Sequence, residues 1–178
     1  YTYSDEDICD IVSSIKRGHE DMAVTLSIGE RDRASYEAYF EAGADRYLLR
    51  HETASKEHYN KLHPDTMSYD NRIRCLQDLK EIGYQVGCGF MVGSPYQTYE
   101  NIYEDLRFIK SFKPHMVGIG PFVSHHNTPF RDMKSGSLDM TIKLLAIIRL
   151  MNPKVLLPAT TALGTIDSKG REKGILAG

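Results

Sequence analysis

Amphipathic helical stretches and short apolar runs alternate along this chain about five times with little linker between them, and that rhythm leaves few folds open. Ile8, Ile11, Val12 and Ile15 recur at helical spacing behind Ser4 and Asp7, a helix-start pair. The run from Met22 to Ile28 then reads as a buried strand ending at Gly29. A helix over 33–42, stopped by Gly43, leads to a strand over 46–49. A helix from Ser68 carries Ile73, Leu76, Leu79 and Ile82 on one face and leads to a strand over 85–92, whose glycines mark a close approach to the backbone. Helices over 99–112 and 138–151 precede strands over 116–119 and 155–157. Each unit has the size of a βα repeat, about 25–40 residues. Short apolar strands separated by amphipathic helices make a parallel sheet covered by helices, an α/β fold.

Two architectures satisfy this pattern: an open doubly wound sheet and part of a (β/α)₈ TIM-type barrel. Periodicity does not separate them, but the placement of polar residues does. In a barrel, chemistry collects at the C-terminal ends of successive strands; a doubly wound sheet concentrates it at one switch point. Here the unusual residues stand at the same end of every strand: Thr25-Leu26-Ser27, Arg50-His51-Glu52-Thr53, Met91-Val92-Gly93, Gly120-Pro121-Phe122 and Ala159-Thr160-Thr161. The barrel is favoured. A complete one takes about 250 residues, against 178 here. The expectation is one partial barrel domain over residues 1–178, about five βα units, truncated at both ends. A first residue of Tyr1 instead of Met carries the same expectation, as does a tail, Gly174 to Gly178, without a natural finish.

The formal net charge is −2 and the 22 Lys and Arg residues are spread along the chain, which leaves no basic footprint for nucleic acid. No apolar run approaches the roughly 20 residues of a membrane span. The longest, Leu144 to Ile148, is broken by Arg149. Tyr1-Thr2-Tyr3 has no signal-peptide pattern. The three cysteines, Cys9, Cys75 and Cys88, are odd in number and far apart. A disulfide framework is not expected, and a reducing cytoplasmic compartment is.

Among the polar strand ends, Arg50 and Glu52 stand two apart and share a side of the strand, where they pair or share a ligand. The competing reading is a pair that only stiffens the rim. Arg72, one turn into its helix, suits a carboxylate clamp or an ordinary pairing with a nearby acid. Thr160 and Thr161 offer hydroxyls to an anion, and Thr pairs also cap turns. Glu30 reads as the first acid before a helix, and His125-His126 as solvated loop histidines without further ligands at useful spacing. The turn Gly93-Ser94-Pro95-Tyr96-Gln97-Thr98 lacks the Gly-Lys-Ser/Thr of a nucleotide P-loop.

Six stretches occur together and in order: Leu49-Arg50-His51-Glu52-Thr53-Ala54, Leu62-His63-Pro64-Asp65-Thr66, Asn71-Arg72, Met91 to Thr98, Met116 to Phe122 and Pro158 to Thr165. In that order they resemble the HydE-type maturases of [FeFe]-hydrogenase, in the biotin synthase-like part of the radical S-adenosylmethionine (SAM) superfamily. The resemblance implies an enzyme with a [4Fe–4S] cluster that reductively cleaves SAM to methionine and a 5′-deoxyadenosyl radical during H-cluster maturation. It assigns Ser27, Glu52, Arg72 and the backbone at Met91 to SAM, and Thr25, Arg50, Thr160 and Thr161 to a substrate and anion pocket. The implied substrate is a small or organometallic molecule, an iron–cysteine complex carrying CO and cyanide, with other hydrogenase-maturation proteins as partners. No side chain is assigned as catalytic and none as a metal ligand.

One departure from the family pattern stands out. The cluster-binding CxxxCxxC is absent, and Cys75 and Cys88 sit in core-like helix and strand patterns. The cluster loop is expected before Tyr1, and the chain by itself is expected to be inactive. Competing readings are another biotin synthase-like enzyme such as methylornithine synthase, and a non-catalytic, degenerate barrel. A Schiff-base aldolase is disfavoured because no strand ends in Lys.

Overall fold

Thr25 stands opposite Arg46, and Leu26 opposite Tyr47, in the computed structural model, so the first two strands, β1 (Thr25–Leu26) and β2 (Arg46–Leu48), run parallel. β2 continues the pattern against β3 (Gln85–Cys88), with Tyr47 beside Val86 and Leu48 beside Gly87. The structure describes residues 3–178. The reading of the N-terminus therefore falls partly, at Tyr1 and Thr2, outside the described residues. The chain divides into two compact units: residues up to Leu49 with Asp70–Gly87, and Arg50–Tyr69 with Cys88–Gly178.

In the first unit, α1 (Asp5–Gly18) begins at a reciprocal cap in which Ser4 accepts from the Asp7 amide and the Asp7 carboxylate accepts from the Ser4 amide. α2 (Arg33–Glu41) is capped by Asp32 and followed by Gly43 at φ 111°, a conformation only glycine adopts without strain. α4 (Tyr69–Ile82) leads into β3. The apolar stripe on α1 is only partly used: Val12 is buried, while Ile11 and Ile15 remain exposed. The strand expected over 22–28 contracts to Thr25–Leu26. Its approach is bonded to side chains instead, with Lys16 donating to the Met22 carbonyl and the Val24 amide donating to Asp45.

The core of this unit is built from tyrosines. Tyr36, Tyr47 and Tyr84 pack edge to face, with centroids 5.1 and 5.8 Å apart. Each phenol donates to a backbone carbonyl: Tyr47 to Gly29, Tyr84 to Tyr36 and Tyr36 also to Gly29. Burial pushes the Tyr47 and Tyr84 phenols up, so they remain neutral donors.

The second unit holds α3 (Lys56–Leu62), β4 (Met91–Val92), α5 (Tyr99–Phe112), β5 (Met116–Val117), β6 (Gly120–Pro121), α6 (Leu138–Met151), α7 (Thr161–Ile166) and α8 (Gly170–Ala177). α5 and α6 coincide with the expected helices at both ends, α5 behind a Thr98–Asn101 capping box. The strand expected over 85–92 is interrupted at Gly89 and Phe90, giving β3 and β4 as separate strands. At the break Gly89 presses on the Gly118 backbone, where a β-carbon would stand 1.9 Å from the Gly118 carbonyl oxygen. β4 and β6 are parallel, Met91 beside Gly120 and Val92 beside Pro121. The strand expected over 155–157 is reduced to one bridge, Leu156 beside Met116. Val117, Ile119, Ile109, Leu144, Leu145, Ile148 and Leu163 form the core here. No helix among the described residues is long and apolar enough to cross a membrane.

Candidate functional site

Strand ends supply the candidate residues in each unit. In the first, the backbone leaves β1 through Ser27, whose hydroxyl donates to the Leu48 carbonyl at 3.2 Å. Thr25 and Ser27 are both exposed. The loop then reaches Glu30, whose Oε1 lies 2.7 Å from Arg72 Nε, with both side chains largely buried. The two atoms make an ion pair by proximity without hydrogen-bond alignment. Asn71 donates its amide to the other oxygen of Glu30. Arg72 thus carries the acid partner that was one of its two sequence readings. Glu30, set aside as a helix-start acid, turns out to be that partner, and only three-dimensional proximity reveals it.

In the second unit the decisive strand end is Arg50-His51-Glu52-Thr53, where the side chains alternate in fate. Arg50 and Glu52 stay partly accessible and face one another with Nη2 and Oε2 4.0 Å apart. His51 and Thr53 are fully buried. Nε and Nη2 of Arg50 are buried, and neither has a hydrogen-bond partner among the described residues. Buried guanidinium donors left over after the protein's own bonds are made cost about 1–3 kcal/mol each, which suits an anion site. Glu52 holds φ 67°, in the left-handed region where a non-glycine residue is strained, while its amide donates to the Gly89 carbonyl at 3.0 Å.

Register then lines the remaining candidates up beside this pair. Glu52 bridges to Phe90, Met91 pairs with Gly120, and a β-carbon on Gly120 would stand 2.4 Å from the Thr160 hydroxyl. Thr160 donates to the Ile119 carbonyl at 3.3 Å. Thr161 opens α7 and is exposed. Glu52, Met91 and Thr160 therefore stand along neighbouring strand ends of one unit, as the barrel reading requires. The Met91 carbonyl already accepts from the Gln97 side chain, which also receives the Gly93 amide and so braces the turn into α5.

The three thiols are free. Cys9 is partly exposed on α1, and Cys75 and Cys88 are buried in α4 and β3. Burial, reinforced by the Asp105 carboxylate, pushes the Cys88 thiol up and keeps it protonated. No three His, Cys, Asp or Glu side chains among the described residues are grouped to hold a metal ion. The His125 and His126 rings lie 4.3 Å apart in an exposed loop, with no third ligand among the described residues. The described residues accordingly do not fit an iron–sulfur cluster, whereas the leftover donors of Arg50 and the carboxylate of Glu52 do fit a small charged ligand such as SAM or an anionic substrate.

Residues 2–109 match the model of the radical SAM superfamily. The chain belongs to that superfamily. Members of the radical SAM superfamily use SAM together with a [4Fe–4S] cluster. The chain is 51 % identical over 170 residues to the [FeFe] hydrogenase maturase subunit HydE of Thermotoga maritima, a match covering 96 % of this chain and 48 % of that protein. It is 32 % identical over 168 residues to the 3-methylornithine synthase of Methanosarcina acetivorans, covering 94 % of this chain and 47 % of that one. The crystal structure of methylornithine synthase superposes with a TM-score of 0.85 at 27 % identity, over 97 % of this chain and 50 % of its own. The chain spans about half the length of the curated relatives it matches. Its parallel strands and covering helices are those of the radical SAM TIM-type barrel, part of which this chain carries.

Proposed function

We propose that this chain is the SAM- and substrate-binding part of a radical SAM maturase of the HydE type, acting in assembly of the [FeFe]-hydrogenase H-cluster in the cytoplasm. The observation that carries the reading is the Arg50–Glu52 strand end, with buried, unpartnered guanidinium donors beside a carboxylate on a strained backbone. SAM, when bound and reduced, supplies a 5′-deoxyadenosyl radical. This chain's own residues bind and orient. Glu52 accepts hydrogen bonds from the cofactor's ammonium or ribose hydroxyls, and its fixed backbone keeps the carboxylate ready without reorganisation. Arg50 holds an anionic group of the substrate through its free donors, and Thr160 and Thr161 add hydroxyls at neighbouring strand ends. Ser27, Met91 and Arg72 keep their assignment to the cofactor, and Thr25 its assignment to substrate, from the resemblance alone. The substrate class is a small organometallic complex, and the partners are other hydrogenase-maturation proteins.

The greater identity to the HydE subunit than to the 3-methylornithine synthase favours maturation over the second reading. Anaerobic reconstitution of the full-length protein tests the proposal. SAM cleavage on reduction, together with rescue of hydrogenase activation in a maturase-deficient extract, is the expected result. Formation of 3-methylornithine without such rescue would transfer the chain to the second reading. Absence of SAM cleavage would leave a degenerate barrel. An Arg72→Ala change weakens SAM binding more than cluster assembly, and equal loss of both removes its assigned role.

A further inference from the structure

Two residues at the Arg50–Thr53 strand end take no part in the binding just described, yet they are its most deeply buried polar groups. His51 and Thr53 are both 0 % exposed, on either side of the strained Glu52. Each is held by a partner reaching in from a different element. The Gly89 amide donates to His51 Nδ1 at 3.2 Å, so that nitrogen carries no proton and the proton sits on Nε2. Nε2 then donates to Asp105 Oδ1, 3.3 Å away on α5, and the same oxygen accepts the Ala54 amide. Asp105 is also 0 % exposed, and its Oδ2 has no hydrogen-bond partner among the described residues. The His51 ring packs against Phe90 and Phe108, with centroids 5.9 and 4.6 Å away.

On the other side, the Thr53 hydroxyl lies 3.1 Å from His58 Nδ1 and accepts the Ser55 amide at 3.2 Å. His58, on α3, places Nε2 2.9 Å from the Pro95 carbonyl, an acceptor only, so Nε2 donates there while Nδ1 bonds the Thr53 hydroxyl. Both chains close on backbone within three residues of Glu52, at the Ala54 and Ser55 amides. A left-handed, non-glycine backbone persists only where its surroundings over-determine it. The bonds on either side of Glu52 are candidates for that role.

We propose that His51 with Asp105, and Thr53 with His58, are positioning residues. They lock the backbone on both sides of Glu52 in the left-handed conformation and thereby set the geometry with which Glu52 binds SAM. The inference rests on the assignment of Glu52 to SAM made above. A fully buried carboxylate left without donors would be expensive, and packing alone gives no stabilising reason to retain one. As a fixed acceptor for a neutral histidine and the Ala54 amide, Asp105 has such a reason.

SAM affinity of the full-length, cluster-loaded protein, measured anaerobically by calorimetry, tests the proposal through coupling. His51→Phe keeps the ring packing and removes both hydrogen bonds; Thr53→Val keeps shape and removes the hydroxyl. Each is expected to weaken SAM binding about tenfold, the scale of a misplaced binding group. On a Glu52→Ala background neither change weakens binding further, because both act through Glu52. Asp105→Asn, which keeps an acceptor oxygen for the same two donors, binds SAM more tightly than Asp105→Leu. Additive losses in the double variants would mark a merely structural role and overturn the proposal. Wild-type affinity in His51→Phe and Thr53→Val beside a weakened Glu52→Ala would also overturn it. If His51→Phe fails to fold, the milder Thr53→Val decides by the same cycle. Unchanged affinity in Glu52→Ala itself would instead remove the Glu52 assignment, and the positioning role would go with it.

Discussion

Replacing Gly89 with alanine should do more damage than its one added methyl suggests. The new carbon would stand 1.9 Å from the Gly118 carbonyl oxygen and 2.7 Å from the Gly118 carbonyl carbon. Carbon and oxygen normally approach no nearer than about 3.3 Å, so the Gly118 backbone must retreat by about 1.4 Å. That retreat breaks the bond from the Gly118 amide to the Cys88 carbonyl, 2.8 Å long in the native chain. The lost hydrogen bond costs about 1 kcal/mol and the overpacking about 1–3 kcal/mol, together about 2–4 kcal/mol. At about 2–4 °C per kcal/mol for 150–250 residues, and less for a longer protein, the melting temperature falls by at most roughly 15 °C. Gly118→Ala is the internal control, since its β-carbon would meet only the Cys88 carbonyl at 4.0 Å, an ordinary contact. It should change stability by less than about 1 kcal/mol. Thermal and urea melts of the full-length variants measure both. A Gly89→Ala protein melting within about 2 °C of wild type, or a Gly118→Ala protein equally destabilised, would refute the close-approach argument.

Other outcomes follow from the same geometry. Arg50→Met removes two buried donors that the described protein leaves unbonded, so stability in urea holds or rises by about 1 kcal/mol while substrate binding is lost. Glu30→Gln removes the carboxylate 2.7 Å from the largely buried Arg72 and destabilises by about 1–3 kcal/mol in the same assay. Hydrogen bonds from Ser35, and next from Tyr39, hold the Asp5 carboxyl below its ordinary value of 3.8. A lowered carboxylate pKa stabilises above the unfolded value, and that contribution disappears as pH falls through the folded one. The melting temperatures of wild type and Asp5→Asn should therefore differ at neutral pH and converge below pH 3.8.

Much of the fold was legible because helix signals are local. Ser4 with Asp7 and the glycine after α2 fix helix ends within a few residues of sequence, and α5 and α6 occur where periodicity puts them. Strand lengths were less legible, because a strand ends where its partner does. Side chains of Lys16 and Asp45 take the backbone groups that would have extended β1, and the Gly89–Gly118 contact divides 85–92. The helices α3, α7 and α8 escaped notice because each is short and carries little apolar periodicity. Of the site, the Arg50–Glu52 pair followed from two-residue spacing. Its complement did not: the burial of His51 and Thr53 follows from the same alternation, but their partners Asp105 and His58 lie 54 and 5 residues away and only folding brings them in.

The path of the chain between its two compact units has a consequence of its own. The polypeptide crosses between them at Leu49–Arg50, at Tyr69–Asp70 and again at Gly87–Cys88, so neither unit is a continuous length of sequence. A ribosome must deliver residue 87 before the earlier unit has all its parts, with 50–69, which belong to the other unit, already made. No single cut liberates either body, and a recombination event that moved one by a single exchange would tear the other.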